Sequence, residues 1–153
     1  MLLFDVDHFK RINDTYGHDI GDKVLQALCT AAQLELREHD LLARIGGEEF
    51  AALLPDTTLA AAQHVAERLR QSLSACRIPV DQQAEVRFTV SIGVSHFCPQ
   101  AFDLNAMVKA ADKALYHAKH NGRDQICLME AEPSLPPILE KSPLGDIDAT
   151  PSH

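Results

Sequence analysis

Two short apolar runs stand back to back in the chain, Leu41–Ile45 and Phe50–Leu54, separated only by Gly46-Gly47 and two glutamates. Paired glycines between strand-length runs are a strong hairpin signal, because they admit the backbone angles of a tight turn. The chain must therefore contain an antiparallel strand pair, and Pro55-Asp56-Thr57 ends its second strand.

On either side of the hairpin the apolar period becomes helical. Asp19–Glu38 carries Val24, Leu25, Leu28, Cys29, Ala32 and Leu36 on one stripe, and Leu59–Cys76 carries Val65, Leu69 and Leu73. Leu104–His120 carries Met107, Val108, Ala111 and Leu115. Such stripes predict amphipathic helices. A shorter helical stretch covers His8–Asp14, and Tyr16-Gly17-His18 breaks it from the next helix. Met1–Val6 is a compact apolar run and predicts a buried strand. Glu85–Phe97 alternates, so that Val86, Phe88, Val90, Ile92 and Val94 share a face. Ile78–Val80 is a candidate partner for that strand, and Gln125–Met129 is the last strand. A hairpin mixed with crossover helices predicts an α+β fold, with a mostly antiparallel central sheet flanked by helices.

The 153 residues fit one domain. It is expected over residues 1–130. Beyond Glu130 the periodicity stops and Pro133, Pro136, Pro137, Pro143 and Pro151 punctuate the chain, so residues 131–153 are expected to be a disordered tail. With 22 acidic against 14 basic residues and a net charge of −8, a broad surface for a nucleic-acid polymer or an anionic membrane is disfavoured. A local phosphate pocket remains compatible with that charge. No apolar run reaches the roughly 18 residues of a membrane span. The start lacks the basic and apolar regions of a signal peptide, so a cytoplasmic chain is expected. Cys29, Cys76, Cys98 and Cys127 form no C-x-x-C pair and fall in apolar runs, so they are expected to be small core hydrophobes in a reducing compartment.

The residues able to carry chemistry cluster at two turns. Asp5 and Asp7 are two apart at the end of the first strand and face the same side of an extended chain. Carboxylates so placed can hold Mg²⁺ through oxygen ligands, though Asp7 can equally serve as an N-cap for the next helix. Glu48 and Glu49 follow the paired glycines, where a molecule can approach the backbone closely. As neighbours near a strand they point to opposite faces and should have different tasks. A solvated hairpin tip is the plainer alternative. If the first strand lies next to the hairpin, Asp5 and Glu48 converge on one metal, which points to metal-assisted phosphoryl or nucleotidyl transfer.

Phe4-Asp-Val-Asp-His-Phe-Lys10, Ile12-Asn-Asp-Thr-Tyr-Gly-His-Asp-Ile-Gly-Asp22, Arg44-Ile-Gly-Gly-Glu-Glu-Phe50, Val90-Ser-Ile-Gly-Val94 and Ala111–Arg123 resemble, in this order, the motifs of the GGDEF family of diguanylate cyclases. The resemblance runs from Leu2 to about Leu128. It implies a sheet like the palm of nucleotide cyclases and polymerases, which is ferredoxin-like. It also implies condensation of two GTP molecules into cyclic di-GMP, with release of pyrophosphate.

Residue by residue, Asp5 and Glu48 match the family's metal-ligand positions, with the Val6 carbonyl as a further ligand for Mg²⁺ or Mn²⁺. Glu49 matches the position linked to activating the attacking 3′-hydroxyl. Gly46 and Gly47 are the turn against which GTP would lie. The backbone N–H groups of His8, Phe9 and Lys10 open a helix and would seat phosphate. Lys119 and Arg123 match the triphosphate-binding cations, although basic residues at a helix end also complement its dipole. Asn13 and Asp22 match guanine-reading positions, and a carboxylate can accept from the guanine N1–H and amino group. They could instead close an Asx turn and support a helix start.

Arg37-Glu38-His39-Asp40 is an R-x-x-D whose distance from Gly46 resembles the family's inhibitory product site, and Arg68 resembles that site's additional arginine. The alternative is a surface ion pair of little energetic value. Since one domain binds one GTP, the resemblance implies a homodimer for catalysis. The family normally begins earlier, with a helix and a D-x-L-T-G-L-x-N-R-like segment, so a member lacking its usual N-terminal segment is expected. The rival functions are a catalytically inactive module that binds GTP or cyclic di-GMP, and an inert truncated remnant.

Overall fold

The computed structural model describes residues 1–82, 84–97 and 103–132. Strand β1 (Leu2–Val6) leads into helices α1 (Phe9–Tyr16) and α2 (His18–Glu35), and β2 (Leu41–Arg44) and β3 (Glu49–Leu53) form the hairpin. Helix α3 (Leu59–Ala75) precedes a small pair, β4 (Ile78–Pro79) and β5 (Glu85–Val86). Strand β6 (Val90–His96), helix α4 (Leu104–His120) and β7 (Ile126–Glu130) complete the chain.

The main sheet has the order β2-β3-β1-β6-β7. Its β2–β3, β3–β1 and β1–β6 pairings are antiparallel, and β6–β7 is parallel. The parallel pair follows from α4, because strands running the same way need a crossover long enough for a helix. The expected α+β architecture is therefore what the chain adopts.

Strand alternation decides what each face meets. Leu2, Phe4 and Val6 point into the larger core with Val24 and Leu28 of α2 and Leu69 and Leu73 of α3. Phe4 stacks on Phe50 with ring centroids 5.8 Å apart. Leu3 and Ala51 point the other way, against Ala111 and Leu115 of α4. The central strand β1 is thus buried on both faces, as its unbroken apolar run requires.

Helix α4 lies directly on β6. A Cβ on Gly93 would come within 2.1 Å of the Ala111 carbonyl oxygen, so only glycine admits this approach.

Several expectations are corrected. The expected strand over Glu85–Phe97 divides into β5 and β6, with Arg87–Thr89 in neither. Val86, Phe88, Val90, Ile92 and Val94 are nevertheless all buried. Ile78 does pair with Val86. Helix α2 stops at Glu35 because Leu36 turns extended, with φ −90° and ψ 153°.

Val108 is 38% exposed and lies off the buried stripe of α4, which Met107, Ala110, Ala111, Ala114, Leu115 and Ala118 form. Among the described residues the glycines with positive φ are Gly17 and Gly122, so the hairpin turn does not use Gly46 or Gly47 in that way. It is closed by the Ile45 and Gly46 N–H groups, which both donate to the Glu49 carbonyl at 2.9 and 3.3 Å.

Cys29, Cys76 and Cys127 are free thiols at half-buried positions rather than in the core. Burial pushes the Cys76 thiol up from its ordinary value. Cys98 and the tail beyond Glu132 lie outside the described residues.

Candidate active site

The strand register builds the site. Asp5 sits opposite Glu49 on β3 and opposite Ser91 on β6. Residues directly opposed across a ladder share a face, here the one that carries α4. Glu48 precedes Glu49 at the hairpin tip, and both are half-buried. Asp5 is 6% exposed. From the last turn of α4, Lys119 Nζ donates to Asp5 Oδ2 at 2.7 Å.

Burial pushes the Asp5 carboxyl above its ordinary value; Lys119 draws it back, and the charges of Glu48 and Glu49 push it up again. Three acidic side chains from β1 and the hairpin thus share one electrostatic neighbourhood with one ammonium group.

Asp7 has a different place. Its Oδ1 accepts from Ser91 Oγ at 2.6 Å, and its Oδ2 accepts from Thr89 Oγ1 at 2.7 Å and from the Asp124 N–H at 3.0 Å. Those donors engage both carboxylate oxygens, so Asp7 braces β1 to β6 and to the turn after α4. It is not the N-cap of α1. His8 occupies that position with φ 55° and no side-chain cap bond. The first-turn N–H groups of Phe9 and Lys10 are therefore left without a side-chain acceptor. The Lys10 side chain pairs with Asp14 at 2.7 Å on the exposed face of α1.

Asn13 lies within α1 rather than in an Asx turn, and its buried Oδ1 has no partner. A Cβ on Gly21 would come within 1.8 Å of that oxygen, so the glycine lets α2 close on α1 at this point. Asp22 is exposed on α2 and lines a cavity of about 520 Å³ with Leu25, Gln26, Arg44 and Phe50. A cavity of about 560 Å³ opens beside α1, lined by His8, Arg11, Tyr16, Arg87 and Thr89 among others, away from the hairpin glutamates.

Arg123 is exposed in the turn after α4, and its guanidinium has no partner among the described residues. Arg44 was not singled out from the sequence, yet its guanidinium donates to the carbonyls of Gly46 at 3.1 Å and Gly47 at 2.6 Å. It clasps the turn that carries Glu48. Its place immediately before the hairpin turn was the available signal.

Arg37, Asp40 and Arg68 gather at the far end of α2. The Arg37 N–H donates to Asp40 Oδ2 at 2.8 Å. Arg68 Nη2 donates to the Glu35 carbonyl at 2.9 Å and Nε to the Glu35 carboxylate at 3.0 Å. Asp40 Oδ1 is buried and unpartnered.

Among the described residues no three His, Cys, Asp or Glu side chains stand together closely enough to hold a metal ion. The chemistry of the donors still fits a hard divalent cation. All are oxygens, Asp5 is desolvated, and the local charge is short of positive partners.

A mostly antiparallel sheet with acidic side chains at the end of its central strand, opposed by a lysine from the last crossover helix, defines a cyclase-type palm domain. The family model described as "Diguanylate cyclase, GGDEF domain" matches residues 1–125, and the chain belongs to that family. It is 44% identical over 126 residues to the response regulator PleD of Caulobacter vibrioides, covering 82% of this chain and 28% of that protein.

The solved GGDEF domain of DgcB from Caulobacter crescentus, in complex with c-di-GMP, is 30% identical with a TM-score of 0.77, over 85% of this chain and 75% of that one. The active GGEEF domain of a diguanylate cyclase from Vibrio cholerae is 35% identical with a TM-score of 0.75, over 87% and 82%. The chain spans about a third of the curated relatives it matches, 36% of the first and 34% of diguanylate cyclase A from Treponema denticola. No helix among the described residues is long and apolar enough to cross a membrane.

Proposed function

We propose that this chain is a diguanylate cyclase domain that condenses two GTP into cyclic di-GMP and two pyrophosphates. The observation that carries the proposal is the convergence at one sheet end of Asp5, the Glu48-Glu49 tip and Lys119, with Lys119 bonded to Asp5 at 2.7 Å.

In this reading Asn13 and Asp22 hold the guanine by its donor edge, which adenine lacks. The N–H groups at the start of α1 and the side chains of Lys119 and Arg123 take the triphosphate. Gly46 and Gly47 leave room for the nucleotide at the turn that Arg44 clasps. Glu49 accepts the proton of the attacking 3′-hydroxyl, which belongs to the GTP on a second copy of the chain. A divalent cation, Mg²⁺ or Mn²⁺ in its place, would be held by Asp5, Glu48 and the Val6 carbonyl, and would polarise phosphate oxygens as a Lewis acid.

One site holds one GTP and the product contains two nucleotides, so the working unit is a homodimer in the cytoplasm. Product inhibition is assigned to Arg37, Asp40 and Arg68. The exposed Arg37 guanidinium supports that assignment, because a phosphate offers the acceptors it lacks.

The test is incubation of the chain with GTP and Mg²⁺, with cyclic di-GMP and pyrophosphate quantified by chromatography, beside Glu48→Ala. Product from the original chain and at least ~100-fold less from the variant is the expected result for loss of a charge-stabilising group. A folded chain that binds GTP but yields no product moves the function to a nucleotide-binding module.

A further inference from the structure

The turn after α4 has an unusual backbone. Gly122, Arg123 and Asp124 follow one another with φ of 114°, 65° and 44°. Glycine tolerates this region, but arginine and aspartate are strained there. Such a turn persists only where its surroundings hold it.

Two side chains hold it. The Asp7 carboxylate accepts the Asp124 N–H at 3.0 Å. The Asp124 carboxylate in turn accepts from Arg70 Nη1, on α3, 54 residues away in sequence. Arg70 is itself fixed: its Nε and Nη2 donate to the two Glu67 oxygens at 3.0 and 2.7 Å, and Gln71 also donates to Glu67 at 2.8 Å. The fork leaves Nη1 aimed at Asp124, and the Arg70 side chain is only 19% exposed. Arg123 directly precedes the doubly anchored Asp124, and its own N–H donates to the Ala118 carbonyl at 3.0 Å.

We propose that Arg70 is a positioning residue for the nucleotide's phosphates: through Asp124 it holds the left-handed turn that presents Arg123. This rests on the reading of Lys119 and Arg123 as the triphosphate cations. Arg70 also neutralises Asp124. Without it, that carboxylate stands unpaired next to Arg123, where it can pair with the guanidinium or repel an incoming phosphate.

The test is calorimetric titration with the β,γ-imido analogue of GTP and with GMP, in Mg²⁺ buffer. Arg70→Met should weaken the triphosphate analogue by about tenfold, the scale of one charge-assisted contact, and leave GMP unchanged. Adding Asp124→Gly to Arg70→Met should restore most of the loss, because glycine keeps the left-handed backbone without a pin and carries no charge. Equal weakening of both nucleotides, no weakening, or no rescue would overturn the inference.

If Arg70→Met does not melt cooperatively, Arg70→Lys takes its place. It keeps the charge without the fork, and absence of a triphosphate-selective loss overturns the inference. An original chain that binds the triphosphate no better than GMP overturns the phosphate site itself, and the inference with it.

Discussion

Asp5 and Asp7 look equivalent in the sequence, two residues apart on one face of a strand, and the structure gives them opposite tasks. Asp7 accepts from two hydroxyls and a backbone N–H. Asp5 is equally buried but meets one ammonium and two further acidic charges, and its carboxyl is raised above the ordinary value. A carboxyl raised in the fold binds its proton more tightly folded than unfolded. Stability therefore falls as pH rises from the ordinary carboxyl value through the raised one. The neutral isostere escapes that loss. Without divalent metal, Asp5→Asn should melt above the original chain at pH 7 and closer to it at pH 4, while losing the proposed cyclase activity. Melting both proteins across that range, with the product assay beside them, checks the trade between stability and function.

At the scale of elements, the placement of α4 matters most. It supplies Lys119 to Asp5 and leads into the turn that carries Arg123. Its approach depends on Gly93, where any Cβ would strike the Ala111 carbonyl and the Leu115 amide. Gly93→Ala should cost about 3 kcal/mol or more, since neither backbone can yield cheaply. The expected readout is a fall in denaturant midpoint with an unchanged slope. Intact stability in this variant would mean that α4 sits further from β6. Helix periodicity found α4 to its last residue, yet it placed Val108 on the buried stripe. Tight backbone packing at Gly93 narrows that stripe to the small residues Ala110, Ala111 and Ala114 and their neighbours. The hairpin was legible from its paired glycines, but its turn is held by Arg44 and the Glu49 carbonyl rather than by left-handed glycines.

At the scale of the whole molecule, one chain presents one set of site residues, and the proposed product, cyclic di-GMP, has two equal halves. Activity per chain should therefore fall in proportion to concentration once the protein is diluted below its dimer dissociation constant. A progress-curve series over a hundredfold dilution checks this, with product removed throughout. Constant specific activity across the series would sink the two-chain mechanism.

The sequence by itself marked out the hairpin, the helices, most of the strands and the residues able to do chemistry, though not the break between β5 and β6. Backbone geometry writes its periods of 2 and 3.6 into neighbouring residues, and turn residues mark where those periods stop. It also placed Asp5 at a strand end and Glu48 at the hairpin tip, where a pairing of β1 with the hairpin could join them. Only the tertiary structure decided the order β2-β3-β1-β6-β7, and with it the meeting of Lys119 with Asp5 across 114 residues. Nor could spacing reveal that Asp7 would be consumed by Ser91, Thr89 and Asp124, or that Arg70 would reach the turn beside Arg123. Those partners are set by which strands and helices pack together, and that choice depends on burying both faces of β1 at once rather than on any local pattern along the chain.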